Sequence, residues 1–167
     1  MVESFELKRL TEEGLPAALK RAEHYRLLNQ PELAESICLD ILEAQPDNQR
    51  ALVVLILAIT DHFGAGRSDP RATMARKYLE QLTDPYQRSY YAGIIAERRA
   101  RSFLGRGPSR QFAYQGFREA MELYEEAAAI RPRGNDDAIL RWNTCARAIE
   151  GEQLRPLPAE RGELQLE

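Results

Sequence analysis

The stretch from Pro16 to Pro46, PAALKRAEHYRLLNQPELAESICLDILEAQP, constrains this chain more than any other. Leu19, Ala22, Tyr25 and Leu28 recur at every third position and mark one apolar face of a helix starting near Leu15-Pro16. Proline suits such a first turn, because its missing N–H would have found no partner there. Asn29-Gln30 breaks the pattern, and Pro31 opens a second helix with Leu33, Ala34, Ile37, Cys38, Ile41 and Leu42 as its inner stripe. So short a connection predicts two antiparallel helices. A pair of this kind leaves an apolar flank and needs a neighbour to cover it.

The rest of the chain repeats this plan with distortions. Asp47 is the expected N-cap of a helix reaching to about Phe63, whose middle, Val53 to Ile59, is apolar all round and so belongs at the centre of the domain. Gly64 to Ser68 reads as a loop. Asp69-Pro70 starts a helix with Met74, Ala75, Tyr78, Leu79 and Leu82 facing inward. Asp84-Pro85 begins a third unit with Tyr86, Tyr90, Tyr91, Ile94 and Ile95 on a broad face, and with Gly93 as a point of close approach. Phe103 to Ser109 reads as a loop by its glycines and proline. The partner helix carries Phe117, Ala120, Met121, Tyr124, Ala127 and Ala128. Asn135 is expected to cap a last helix, through about Glu150, with Ala138, Leu140, Trp142, Ala146 and Ile149 as its apolar surface. Residues 1–14 either pack as a short helix through Phe5, Leu7 and Leu10 or fray, and residues 151–167 read as a flexible tail.

The key residues of these units resemble the tetratricopeptide repeat, in which a small residue, an aromatic, an A-x3-F element and a proline recur over about 34 residues. Ala22 and Tyr25 match the first part; Ala34 with Cys38, and then Pro46, match the second. Ala75-x3-Leu79 and Ala120-x3-Tyr124 echo the A-x3-F element, and Ala120 to Pro132 spans the same interval as Ala34 to Pro46. Ala18 and Arg21 stand where the family has Trp and Leu. The resemblance covers residues 15–150. It implies an all-α fold of antiparallel helix-pair repeats, about three units stacked as a short right-handed α-solenoid with a C-terminal capping helix. It also implies an adaptor that binds a protein or peptide on the concave surface lined by the first helix of each pair. The family's carboxylate-binding Lys and Asn positions hold Leu19, Glu23 and a residue near Val54, so a chaperone C-terminus is not the expected ligand.

Composition agrees with helix: Leu, Ala, Glu and Arg dominate, and no segment alternates with period two. A net charge of -3 argues against bulk binding to nucleic acid or membrane. Ala51 to Thr60, ALVVLILAIT, is the most apolar run and is about half the length of a membrane span. The N-terminal MVESFELKRLTEEG lacks the apolar core of a signal peptide, and two widely spaced cysteines suit a reducing compartment, so a cytoplasmic location is expected. The doublets Glu23-His24 and Asp61-His62 do not converge on a helix, and no metal-ligand spacing occurs. Neither Cys38 nor Cys145 has a neighbour that would activate a thiol. No catalytic, cofactor or metal site is expected, and the chain is not expected to be an enzyme.

Arg98 to Arg118, RRARSFLGRGPSRQFAYQGFR, holds six arginines, four aromatics and no acid. Arginine interleaved with aromatic residues suits a polyanion or an acidic peptide. The same arginines could instead pair with Glu119, Glu122, Glu125 and Glu126. Helical phase nominates Glu23, His24, Arg26, His62, Tyr90, Arg98, Arg101, Asn143 and Arg147 as partner contacts, and the arginine-rich loop adds Arg106 and Arg110. Nucleic-acid binding through residues 98–118 and self-association as a homodimer are the alternatives.

Overall fold

A computed structural model describes residues 3–64, 69–105 and 107–158. Seven α-helices account for most of it: α1 (Leu15–Leu27), α2 (Pro31–Ala44), α3 (Gln49–Thr60), α4 (Pro70–Leu79), α5 (Pro85–Ser102), α6 (Ala113–Ala129) and α7 (Asp137–Gly151). The described residues contain no strand. Each helix packs on the next, and α3 also touches α1 and α5.

Local chemistry sets the boundaries. Proline occupies the first turn of α1, α2, α4 and α5. The break at Asn29-Gln30 is a Schellman turn: Asn29 takes a left-handed φ of 58°, and the N–H of Gln30 reaches back to the Tyr25 carbonyl at 2.9 Å. The same device ends α7, where Gln153 has φ 53° and the Leu154 N–H donates to Ile149 O at 3.0 Å. Leu154 then folds back into the core. Asp69 and Asp84 cap α4 and α5 through the backbone N–H groups of Arg71 and Gln87. The cap of α3 is Asn48 rather than Asp47, because the Asn48 side chain is the one that reaches the Ala51 N–H, at 2.9 Å. α3 ends at Thr60, short of Phe63. The N-cap of α7 is Asp136 rather than Asn135, and it makes no side-chain cap hydrogen bond; Asn135, one residue earlier, accepts from the Asp137 N–H at 3.0 Å.

Two apolar clusters form. The first gathers α1–α4 around the fully buried α3 residues Leu52, Leu55, Ile56 and Ile59; the second gathers α5–α7 around Phe117, Ala120 and Tyr124. α5 joins them, with Ile95 in the first cluster, Ile94 in the second and Tyr91 against both. Ala22 and Ala34 are completely buried in the α1–α2 contact. Ala34→Leu is therefore expected to overpack this contact and to cost about 1–3 kcal/mol, read as a lower midpoint in urea unfolding. Leu28, Leu33 and Met74, expected on inner faces, are exposed. Leu28 lies in the turn beyond α1, Leu33 lies on the margin of the first helix pair, and α4 buries only its edge of small residues, Ala72 and Ala75. Phe5 and Leu7 are exposed as well, and only Leu10 of the leading segment packs on the core.

α5 and α6 approach closely because each presents a notch. A Cβ on Gly93 would lie 2.5 Å from Tyr124 Cε1, and one on Gly116 would lie 2.9 Å from Ala100 Cβ. Both cysteines are buried, Cys38 in the first cluster and Cys145 in the second. Burial pushes each thiol up to about 12. At pH 8 only ~1 in 10,000 would be thiolate. The native protein is expected to react with a disulfide reagent far more slowly than the urea-unfolded chain. The thiols of the unfolded chain ionise near 9, so they also withdraw stability progressively as pH rises from about 9 towards 12. Fast titration of either cysteine in the native state would contradict this burial.

Candidate partner-binding surface

One strip of surface brings together several of the residues nominated from the sequence. Its axis is α5. Tyr86 and Tyr90, one turn apart, stack with ring centroids 5.7 Å apart, and Tyr90 meets Tyr91 edge-on at 5.1 Å. Tyr90 also leans on the buried Tyr124 ring at 5.9 Å. The three tyrosines of α5 are half-buried. Burial raises Tyr86 and Tyr91 above the usual phenol range, and the neighbouring tyrosines and Asp137 add to the effect. The Tyr86 and Tyr91 hydroxyls are therefore neutral at neutral pH.

Toward α1 and α3, Arg98 closes the strip. Its Nη1 donates to Leu57 O at 3.0 Å, Thr60 Oγ1 at 2.6 Å and Asp61 Oδ1 at 2.6 Å. A cation on the last carbonyls of α3 is favourable because that end of the helix carries partial negative charge. Burial lowers the Arg98 guanidinium from its usual range, and Asp61 opposes that shift. Arg26 of α1 takes the other oxygen of Asp61, Nε to Oδ2 at 2.7 Å. One carboxylate thus ties three helices.

Toward α6 and α7, Glu97 plays the corresponding part from a buried position. It is 1% exposed. Tyr124 Oη donates to its Oε2 at 2.7 Å, Arg101 Nε to its Oε1 at 3.0 Å, and Arg141 of α7 reaches it at 3.4 Å. Burial pulls the Arg141 guanidinium down, but Glu97, then Tyr124 and Tyr90, outweigh it and hold Arg141 above its usual range. The strip thus carries Arg26, Arg98, Arg101 and Arg141 against Asp61, Glu97 and Asp137, with its cations held in place by these carboxylates.

The other nominated residues lie elsewhere or serve local contacts. Glu23 pairs with Arg50 at 2.7 Å, and His24 is exposed. His62 Nε2 lies 2.9 Å from Glu32 Oε1. Arg110 donates to Leu104 O at 2.7 Å and to Glu152 Oε2 at 2.9 Å, fastening the 103–112 connection to the chain after α7. Arg106 lies outside the described residues. Asn143 and Arg147 project about 160° and about 120° around α7 from Arg141, so that helix offers Arg141 to the strip in their stead. Tyr86, Asp61, Glu97 and Arg141 were not among the nominated contacts. The spacing of Tyr86, Tyr90, Glu97 and Arg101 by four, seven and four is a legible helical stripe; the Arg141 contact is long-range and carries no local signal.

Arg98, Arg99, Arg101 and Arg110 find partners other than those considered from the sequence. Arg98 and Arg101 serve Asp61 and Glu97, Arg99 donates to Gly64 O at 3.0 Å and covers the Phe103 ring at 4.7 Å, and Arg110 serves Glu152. No contact to Glu119, Glu122 or Glu126 occurs among the described residues, and Glu125 accepts instead from Trp142 Nε1 at 2.9 Å. Among the described residues no group of acids, histidines and cysteines could hold a metal ion, and no helix is long and apolar enough to cross a membrane. A scan against protein-family models, a search of curated proteins and a search of solved structures each gave no match.

Proposed function

We propose that this protein is a non-catalytic adaptor that binds a protein or peptide segment across the Tyr86–Tyr90–Tyr91 strip. On this reading the helices form about three antiparallel, tetratricopeptide-like pairs, α1–α2, α3–α4 and α5–α6, capped by α7. They stack as a short right-handed solenoid in a cytoplasmic protein. The strip then lies on the inner surface, where α1, α3 and α5 meet. The observation that carries the reading is the line of half-open tyrosine rings flanked by arginines whose positions are already set by Asp61 and Glu97. Aromatic rings and preorganised arginines are the groups that contribute most to protein interfaces, since little entropy remains to be lost on binding. Polyanion binding through residues 98–118 has less support, because Arg98, Arg99, Arg101 and Arg110 already serve protein acceptors.

The test is affinity capture from the native host with three baits: the wild type, a Tyr86→Ala/Tyr90→Ala double variant, and an Arg147→Glu variant altered on the far side of α7. Proteins retained by the wild type and by Arg147→Glu, but reduced at least about tenfold on the folded double variant, support the strip. An unchanged set on the double variant would overturn it.

A further inference from the structure

The hydrogen-bonding balance of the tyrosine strip narrows what can lie on it. Asp61 spends its two oxygens on Arg26 and Arg98, and Glu97 spends its two on Tyr124, Arg101 and Arg141. Donors are left over. Arg101 binds Glu97 through Nε, so its two terminal nitrogens have no acceptor among the described residues, and its side chain is 41% exposed. Arg141 reaches Glu97 through Nη1, lies beside the Tyr90 hydroxyl and is 36% exposed. Tyr86 Oη, beside Asn135, has no hydrogen-bond partner of good geometry among the described residues. Against these donors the strip keeps one exposed carboxylate that no donor holds among the described residues, that of Asp137 at the Tyr86 end. Arg26, Arg98, Arg101 and Arg141 are nearly balanced by Asp61, Glu97 and Asp137, so charge selects no partner of either sign. The strip is thus aromatic, nearly neutral and richer in donors than in acceptors. An ordinary extended segment would bring one N–H for each C=O and would bury donors that find no acceptor here. Proline brings the carbonyl and no N–H.

We propose that the strip binds a proline-rich segment in the polyproline conformation, its pyrrolidine rings packed on Tyr86 and Tyr90 and its carbonyls accepting from Arg101 and Arg141. This assignment rests on the strip being the partner-binding surface. Such a segment has no internal hydrogen bonds, so its carbonyls are free, and its stiffness leaves little entropy to lose on binding. Surfaces lined by aromatic rings are the ones that receive this conformation, and Tyr86 and Tyr90 present two rings only 13° from parallel. The lengths agree as well. Tyr86 and Arg101 lie about 22 Å apart along α5, and about seven residues of polyproline cover that distance.

Isothermal titration of the full chain with three end-blocked peptides of equal length tests the assignment: nonaproline, a glycine-serine repeat and a glutamate-rich peptide. Nonaproline is expected to bind at least about tenfold more tightly than the other two. Tyr86→Ala/Tyr90→Ala should weaken that binding at least about tenfold. Arg101→Met leaves Glu97 bonded to Tyr124 and Arg141, and should weaken it at least about threefold with the melting curve in place. This second variant reads the lost donor even where the alanine pair lowers the melting midpoint. The proposal is overturned if nonaproline does not bind, if either other peptide binds as well, or if both variants bind as the wild type does. Host proteins whose capture depends on Tyr86 and Tyr90 while nonaproline fails to bind would overturn the proline assignment and leave the strip standing. A captured set indifferent to the alanine pair would remove the strip itself.

Discussion

Glu97→Ala is expected to destabilise the protein by about 3 kcal/mol. The side chain is buried and accepts from three donors at once, Tyr124, Arg101 and Arg141. Its removal strands the Tyr124 hydroxyl inside the second cluster, where an unsatisfied donor costs ~1–3 kcal/mol. It also leaves a cavity at the meeting of α5, α6 and α7. The two arginines contribute less to the loss, because both are more than a third exposed and water can take up their charge. In urea unfolding the loss should shrink when it is measured in a Tyr124→Phe background, since the stranded hydroxyl is then gone. A loss below about 1 kcal/mol in the wild-type background would show that Glu97 does not hold these helices together.

Gly93→Ala is expected to cost about 2 kcal/mol, although alanine is the better helix former by ~1 kcal/mol. The added methyl would lie 2.5 Å and 2.7 Å from two atoms of the Tyr124 ring. That ring cannot swing aside, because it is fully buried and its hydroxyl is held by Glu97. The helices must separate, or the ring must leave its hydrogen bond. The cost should fall sharply in a Tyr124→Leu background, where the methyl has room, and this non-additivity separates overpacking from any intrinsic effect on α5. A stabilising Gly93→Ala would mean that α5 and α6 do not approach as described.

The helices were legible because their signals are local. Pro16, Pro31, Pro70 and Pro85 mark first turns, Asn29 marks the first turn between helices, and the apolar run of α3 marks the buried centre. Gly93 was legible as a point of close approach, though not the ring it faces. The misplaced residues lie at margins: Asn48 instead of Asp47, and Leu33 and Met74 on the rims of their stripes. Helical phase resolves a face but not how far a neighbour covers its edges. The polar network was least legible. Glu97 lies in the charged run Glu97-Arg98-Arg99, which reads as a solvated surface, yet Glu97 and Arg99 are buried and Arg98 is mostly so. Arg98 finds its acceptor Leu57 41 residues away, and Arg141 finds Glu97 44 residues away. Such pairings depend on how the helices stack, and no spacing within one segment encodes them. Thus helical phase placed Tyr90 and Arg98 on one helix, whereas nothing local pointed to the contact of Arg141 with Glu97.

The proposed role rests on the tyrosine strip being the surface a partner touches. The most direct measurement is photo-crosslinking in the native host, with a benzophenone amino acid placed either at position 86, in the strip, or at position 147, on the far side of α7. The strip predicts a discrete covalent adduct from position 86 and none from position 147. An adduct from position 147 alone, or equal adducts from both, would contradict it.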